Sequence, residues 1–413
     1  MRTLQTSHGA DSPYAWTRLW IALALTTVGG SGMYSMAVVL PPLQAEFAIA
    51  RGDASLPFTF TMIGFGLGGV LMGRLSDRFG VIVPVLVGSV SLGLGFIAAS
   101  FSQNLLQFTA IHGLLIGIGT SGSFVPLVAD ITLWFTRRRG IAVAIVMSGN
   151  YLAGTVWPPL MQHFIDTAGW RATYMGTGLM CLFAMPLFAL ALRRKPPAIA
   201  GLAPARAGAR GAWPNPERPL GFSPNQLQGL LCVSGIACCV AMSMPQVHMV
   251  AYCADLGFPA ARGAEMLSLM MAFGIVSRLA SGWIADHIGG LGTLLLGAVL
   301  QATALALFLP FDGLVALYVV SALFGLFQGG IVPSYPLIVR EYFLPREAGT
   351  RTGTVIMATL VGMALGGWMP GWVFDMTGSY RAAFVNGIAW SLVTTGIALF
   401  LIYRSRRWIP RAA

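Results

Sequence analysis

Charge is what this sequence has least of. Only 9% of its 413 residues are Asp, Glu, Lys or Arg, against about a quarter in a soluble globular chain. That scarcity excludes a solvated surface of ordinary size. Acids are the rarer sign, 14 against 25 basic residues, and none falls in the middle of an apolar run. Catalytic signatures are missing too: there is no HExxH, no GxSxG, no nucleotide loop and no cluster of acids in the apolar runs. An intramembrane enzyme therefore lacks support, and no cofactor is expected. The five cysteines (Cys181, Cys232, Cys238, Cys239, Cys253) have neither metal spacing nor a disulfide framework, and read as small core residues. No extramembrane domain is evident that would make the chain a receptor. No small-residue cleavage site follows the first apolar block, so that block reads as an uncleaved anchor.

What is abundant is hydrophobicity. Apolar residues make up 56% of the chain and come in blocks of about twenty, the length that crosses a bilayer as a helix. The expected fold is an all-α membrane protein. Its 51 glycines and 20 methionines suit that class, because small residues let membrane helices approach closely. Twelve spans are expected, near 17–41, 55–74, 81–101, 104–128, 140–164, 171–192, 224–252, 261–284, 291–310, 313–338, 349–373 and 381–403. Arg51, Arg171, Arg262 and Arg381 lie in odd-numbered loops; Arg278 lies within a span; every other basic residue is in a tail or an even-numbered loop. Positive charge marks the cytoplasmic side, which places both termini inside, in a plasma membrane of the bacterial inner-membrane kind. The net charge of +11 is then a topology signal, and no nucleic-acid partner is expected. The only long hydrophilic stretch, rich in Pro, Ala, Gly and Arg, reads as a cytoplasmic linker. The organisation expected is a six-span bundle over 1–193, a linker over 194–222 and a second bundle over 223–413.

The halves repeat. "GRLSDRFG" (73–80) follows the second span and "GWIADHIGG" (282–290) follows the eighth. Gly73, Asp77 and Gly80 recur 209 residues later as Gly282, Asp286 and Gly289, and the same offset takes Gly140 to Gly349 and Asp166 to Asp375. "GWRATY" (169–174) is echoed by "GSYRAAF" (378–384) after one insertion. Duplicated halves around a midplane site are a transporter design.

Gly73-x-Leu75-x-Asp77-Arg78-x-Gly80 resembles the loop motif of the major facilitator superfamily, and the degenerate copy at 282–290 sits where that family places it. The resemblance covers the whole chain and implies two pseudo-twofold six-helix bundles. It makes Gly73, Asp77, Arg78, Gly80, Asp130 and Asp286 a gating set, with Asp77 docking on the eleventh span and Arg78 pairing with Asp130 at the end of the fourth. "WFTRRRGIAVAIVMSGNYLAG" (134–154) is similar to the fifth-span signature of monocarboxylate transporters through Trp134, Phe135, Arg137, Arg138, Arg139, Ala142 and Gly149. "DSPYAW" (11–16) keeps part of that family's other signature, in Asp11, Tyr14, Ala15 and Trp16, without its two glycines. On that resemblance Tyr34 replaces a first-span lysine, Arg278 holds the place of the eighth-span arginine, and Gly274 replaces the acid one turn before it.

Arg278 is the central candidate. Counted back from Asp286 it lies eight residues into the membrane, roughly 12 Å along a helix. An arginine at such depth costs at least about 2.5–3.5 kcal/mol on insertion scales. With no acid in the apolar runs, a substrate carboxylate is the economical partner, because the guanidinium fork matches its two oxygens. A guanidinium satisfied by backbone carbonyls or water is the plainer alternative. The eleventh span lacks a second cation, which favours monocarboxylates over dicarboxylates. Tyr34, Asn150, Tyr151, Tyr252 and Gln328 are further substrate-binding candidates, each of which could equally make a helix–helix hydrogen bond. His112 and His248 are the two midspan groups that titrate near neutrality, so each is a candidate proton carrier, against a neutral hydrogen-bonded histidine. The reading is a monomeric secondary transporter of small organic anions, as proton symporter or exchanger with a counter-anion, working in a lipid bilayer. The alternative is an efflux carrier for drugs or other hydrophobic solutes. It is disfavoured because "FTAIHGLLIGIG" (108–119) carries no arginine and the fifth span has prolines only at its outer end.

Overall fold

A single glycine decides how the longest helix is to be counted. Ala260–Leu307 runs for 48 residues, about 70 Å at 1.5 Å per residue, far more than the ~30 Å of a hydrocarbon core. It breaks at Gly289, whose φ of 77° and ψ of 172° belong to a region essentially reserved for glycine. The computed structural model of the chain describes residues 11–136, 138–194, 219–344 and 347–408. Among them are eleven helices long and apolar enough to cross a membrane. With Ala260–Leu307 counted as two arms, twelve apolar segments remain, at the positions the sequence suggests. Most of the expected linker, residues 195–218, lies outside the described residues, as do Arg137 and Arg346.

The helices are α1 (Pro13–Gly29), α2 (Ser31–Phe47), α3 (Arg51–Phe79), α4 (Ile82–Ser100), α5 (Leu105–Ile111), a π-helical turn (His112–Gly117), α6 (Ile118–Gly122), α7 (Val125–Trp134), α8 (Arg139–Ala168), α9 (Trp170–Leu190), α10 (Pro224–Asp255), α11 (Ala260–Leu307), α12 (Leu314–Gln328), α13 (Ile331–Tyr342), α14 (Ala348–Thr377) and α15 (Tyr380–Trp408). Local chemistry starts them where expected. Ser12 caps α1 by accepting from the Ala15 amide, with Pro13 in the first turn, where its missing N–H costs nothing.

The chain forms two compact units. One holds Met1–Leu202 with Met249–Met271, the other Ala203–His248 with Ala272–Ala413. The end of α10 and the start of α11 thus pack with the first six spans. In the first unit small residues set the spacing. A Cβ on Gly93 would stand 2.9 Å from the Gly178 carbonyl oxygen, and one on Gly178 would stand 2.7 Å from that of Gly93. Helices α4 and α9 therefore touch backbone to backbone. In the second unit Leu227, Leu231, Cys238, Cys239 and Met242 of α10 form a core with Leu291 and Leu294, Tyr335, Ile338 and Val339 of α13, and Val355, Ala398 and Leu401. Its polar atoms are paired internally: the hydroxyls of Ser234 and Tyr335 lie 3.0 Å apart, and Gln301 donates to the Cys238 carbonyl.

The repeat is visible in the backbone. Gly80 has φ 80°, ψ 174° and Gly289 φ 77°, ψ 172°, 209 residues on. Gly169 and Gly378, at the same offset, both have positive φ (82° and 66°) but ψ of 161° and 12°. The divergence falls where the second copy carries its extra residue.

Candidate functional site

Arg278 stands 11 residues before the Gly289 break, about 16 Å along α11, and 18 residues after its start. The arm that carries it is thus long on both sides, and the side chain is half-buried. The neighbouring face of α11 packs on the α12–α13 junction. A Cβ on Gly329 would meet the Gly274 carbonyl oxygen at 2.6 Å and Ser277 Cβ at 2.7 Å; one on Gly330 would meet Ser281 Cβ at 2.4 Å. Small residues at 274, 277 and 281 let the helices cross, and Arg278 flanks that crossing. Gln328, just before the junction, is fully buried and accepts from Gln246 Nε2 of α10 at 3.1 Å. Its own Nε2 is buried with no partner among the described residues. Reversing both amides would leave Oε1 unpaired instead, so one end of this amide lacks a partner either way.

His248 of the second unit is buried. Its Nε2 lies 2.8 Å from the Gly367 carbonyl oxygen and its Nδ1 lies 2.9 Å from Tyr380 Oη. A carbonyl only accepts, so Nε2 donates to it. His112 of the first unit is arranged likewise. Thr61 Oγ1 commits its proton to the Pro57 carbonyl at 2.7 Å, leaving it to accept from His112 Nδ1 at 3.1 Å, while Tyr174 Oη donates to Nε2 at 3.3 Å. The groups named within hydrogen-bond distance of the two rings are all uncharged.

The remaining binding candidates belong to the first unit. Tyr34 of α2 is buried against α8: a Cβ on Gly154 would stand 2.7 Å from the Tyr34 ring and 2.5 Å from Met271 Cγ. Tyr151, one turn earlier, is buried, as is Tyr252 at the end of α10, and Asn150 is half-buried. Near them the segment 249–271 is fastened by side chains the sequence reading passed over. Arg51 donates to both oxygens of Asp255, one at 3.0 Å, and its Nε to Gln44 Oε1 at 3.1 Å. Ser268 Oγ donates to the Thr155 carbonyl.

A family model described as Major Facilitator Superfamily matches residues 19–315. The chain belongs to that superfamily. It is 27% identical over 358 residues to a protein named monocarboxylate transporter 13 from Rattus norvegicus, covering 84% of this chain and 78% of the relative. It is 27% identical over 433 residues to human monocarboxylate transporter 11, covering 97% and 85%, and 26% identical over 377 residues to an uncharacterised MFS-type transporter of Bacillus subtilis, covering 87% and 90%. The sequence is thus similar to proteins named monocarboxylate transporters. A crystal structure of a peptide transporter in complex with sulfate superposes with a TM-score of 0.75 at 12% identity over 97% of each chain, which shows the fold alone. Membership makes the chain a transporter rather than an enzyme.

The superfamily loop motif corrects one expectation. Asp130 does not pair with Arg78. It is buried and binds Arg18 of α1 through both oxygens, at 2.7 and 2.9 Å. Arg18 also donates to the Leu192 carbonyl at 2.9 Å and lies 4.6 Å over the Trp134 ring. The reason is desolvation: a fully buried guanidinium needs a buried anion, whereas Arg78 is exposed, its guanidinium over the Phe79 ring at 5.2 Å. Asp77 is exposed at the end of α3 and pairs with nothing among the described residues; Asp286 is also exposed. The two signature stretches meet. Tyr14 packs edge-on to Trp134 with centroids 5.2 Å apart and Trp16 to Phe135 at 5.1 Å, while Asp11 accepts from Thr136. In this superfamily member those residues tie the start of α1 to the α7–α8 turn, a structural task remote from Arg278 in the sequence of helices.

Proposed function

We propose that this superfamily member carries small monocarboxylates across a bacterial inner membrane by alternating access, with the substrate carboxylate bound to the Arg278 guanidinium. The observation that carries the reading is the placement of Arg278. It is a permanent cation in the interior of a membrane-length helical arm, in a chain whose described acids all lie at or near the ends of helices or helical arms. A guanidinium there binds an anion strongly because little water competes, and its planar fork suits the two oxygens of a carboxylate. The names of the relatives support the substrate class. Gln328, of the same unit, is assigned to the substrate's remaining surface, and its buried polar end offers it a hydrogen bond. Gly73, Asp77, Arg78, Gly80 and Asp286 are assigned to the cytoplasmic gate. The excess of arginine on one side supports a cytoplasmic position for both termini.

The test is uptake of labelled acetate, lactate and pyruvate into proteoliposomes holding the purified chain. Saturable uptake that is lost in Arg278→Ala supports the reading. Normal carboxylate uptake by Arg278→Ala overturns it.

A further inference from the structure

We infer that a groove in the second unit, at the end of the spans that carries the excess of arginine, is a binding site for an aminophospholipid of the phosphatidylethanolamine type. The inference does not depend on what the carrier transports. Three elements build the groove: the second arm of α11, which starts after the Gly289 break, and the last turns of α13 and α15. Its volume is about 630 Å³. The framework is tight. A Cβ on Gly290 would stand 2.8 Å from Ile338 Cγ1 and 3.0 Å from the Ile338 amide nitrogen, so the α11 arm and α13 cross close to backbone distance. Leu291 and Leu294 share a core with Ile338, Tyr342 and Leu401. One wall is apolar, formed by Ile288, Leu295, Leu399 and Ile402, and Ile288 and Leu399 are 51% and 52% exposed. Two charges of opposite sign complete the lining, Glu341 at the end of α13 and Arg406 at the end of α15. One carboxylate oxygen of Glu341 accepts from the Gly290 amide at 2.9 Å. That bond holds the side chain at the groove and leaves the second oxygen without a partner among the described residues. Arg406 is exposed and makes no ion pair or hydrogen bond with any described residue.

The two charges select the occupant. A phosphate diester is an anion whose oxygens match the guanidinium fork of Arg406. The second oxygen of Glu341 calls for a cation that also donates a hydrogen bond, and a primary ammonium does both. A trimethylammonium headgroup has the charge but no N–H. A glycerol headgroup has no cation, so its phosphate would stand near an uncompensated carboxylate. Helix ends beside their last apolar turn lie at the level of lipid headgroups, and the aliphatic wall takes the acyl chains. A free phosphoamine has the right charges but would leave that wall uncovered. Because a charge-assisted hydrogen bond is about twice as strong as a neutral one, the N–H contrast predicts roughly tenfold between ethanolamine and choline lipids of the same chains.

The experiment is native mass spectrometry of the full chain, delipidated in detergent and titrated with dioleoyl lipids bearing ethanolamine, choline or glycerol headgroups. The expected result is about tenfold tighter binding of the ethanolamine lipid than of the choline lipid. Glu341→Gln keeps an oxygen for the Gly290 amide and should bring the two within about twofold. Arg406→Gln should weaken both alike, by about threefold or more. Asp312→Asn, exposed between α11 and α12 at the opposite end of those helices, should keep the parent's preference. Glycerophosphoethanolamine, the headgroup without chains, should not compete at the lipid's working concentration. Equal binding of the three lipids by the parent, preference for the glycerol lipid, or a preference kept in Glu341→Gln would overturn the inference. Competition by the chain-free headgroup as strong as by the whole lipid would overturn it in favour of a soluble phosphoamine. If Glu341→Gln melts below the parent, Arg406→Gln decides at an exposed helix end, and unchanged affinity for the ethanolamine lipid there would overturn the inference. None of these readouts depends on carboxylate uptake, so failure of the transport reading and failure of this one are told apart.

Discussion

Replacing Asp130 by Asn should destabilise the first unit far more than an exposed acid does. The ion pair is bidentate, at 2.7 and 2.9 Å, and the two side chains are 1% and 9% exposed. Removing one partner of such a pair leaves a buried, uncompensated charge, at a cost of about 3–5 kcal/mol. Arg18 keeps its bonds to the Leu192 and Arg194 carbonyls, its contact with Tyr14 and its place over Trp134, so the lower end of that range applies. The double variant Arg18→Met, Asp130→Leu removes both charges and should recover most of the loss, because neither desolvated ion remains. The assay is the temperature at which detergent-purified protein ceases to be monodisperse, in a double-mutant cycle of the four forms. Additive losses, or an Asp130→Asn protein as stable as the parent, would refute the reasoning. A control is Asp77→Asn, which should leave stability within about 0.5 kcal/mol because the residue is exposed.

Gly289→Ala should cost about 1–3 kcal/mol of stability, since φ of 77° with ψ of 172° strains any side chain; Gly80→Ala should behave alike, and a large difference between the two in thermal melts would argue against equivalent turns. Gly154→Val should abolish uptake at normal or reduced expression, because its branches would enter space held by the Tyr34 ring and Met271; wild-type uptake kinetics would show that the contact is dispensable. Asp255→Asn removes the anion that Arg51 holds and should raise maleimide labelling of the buried Cys253; unchanged labelling would mean that segment 249–271 is fastened by other contacts.

Much of the architecture was legible because bilayer thickness imposes one length on every span, and because turn glycines at a constant offset advertise a duplication. Gly80 and Gly289 illustrate the point: the sequence match at 209 residues corresponds to backbone angles equal within a few degrees. Pairing between distant side chains was less legible. Arg18 looked like a topology arginine beside the membrane, yet it is among the most buried side chains of the first unit. Asp130 at the end of a span should have signalled the need for a buried cation, and Arg18 at the start of another was available; sequence proximity to a known motif favoured Arg78 instead. The Arg51–Asp255 pair joins residues 204 apart, a separation that no periodicity encodes. The two signature stretches were read as family marks, and only their side-chain packing shows what they do. Gln246 was missed because a glutamine beside a proline in an apolar helix has no distinctive pattern, whereas its partner Gln328 was noticed as a lone polar residue.

The central claim is that Arg278 binds the substrate's carboxylate, and calorimetric titration of the purified protein with pyruvate tests it most directly. The parent should bind. Arg278→Lys, which keeps the charge but loses the planar fork, should bind more weakly, and Arg278→Ala should lose at least about tenfold in affinity. The empty Arg278→Ala protein should melt no lower than the parent, because it is relieved of a deeply placed charge. Parental affinity in Arg278→Ala, or an alanine variant that melts well below the parent while the parent binds no carboxylate, would contradict the account.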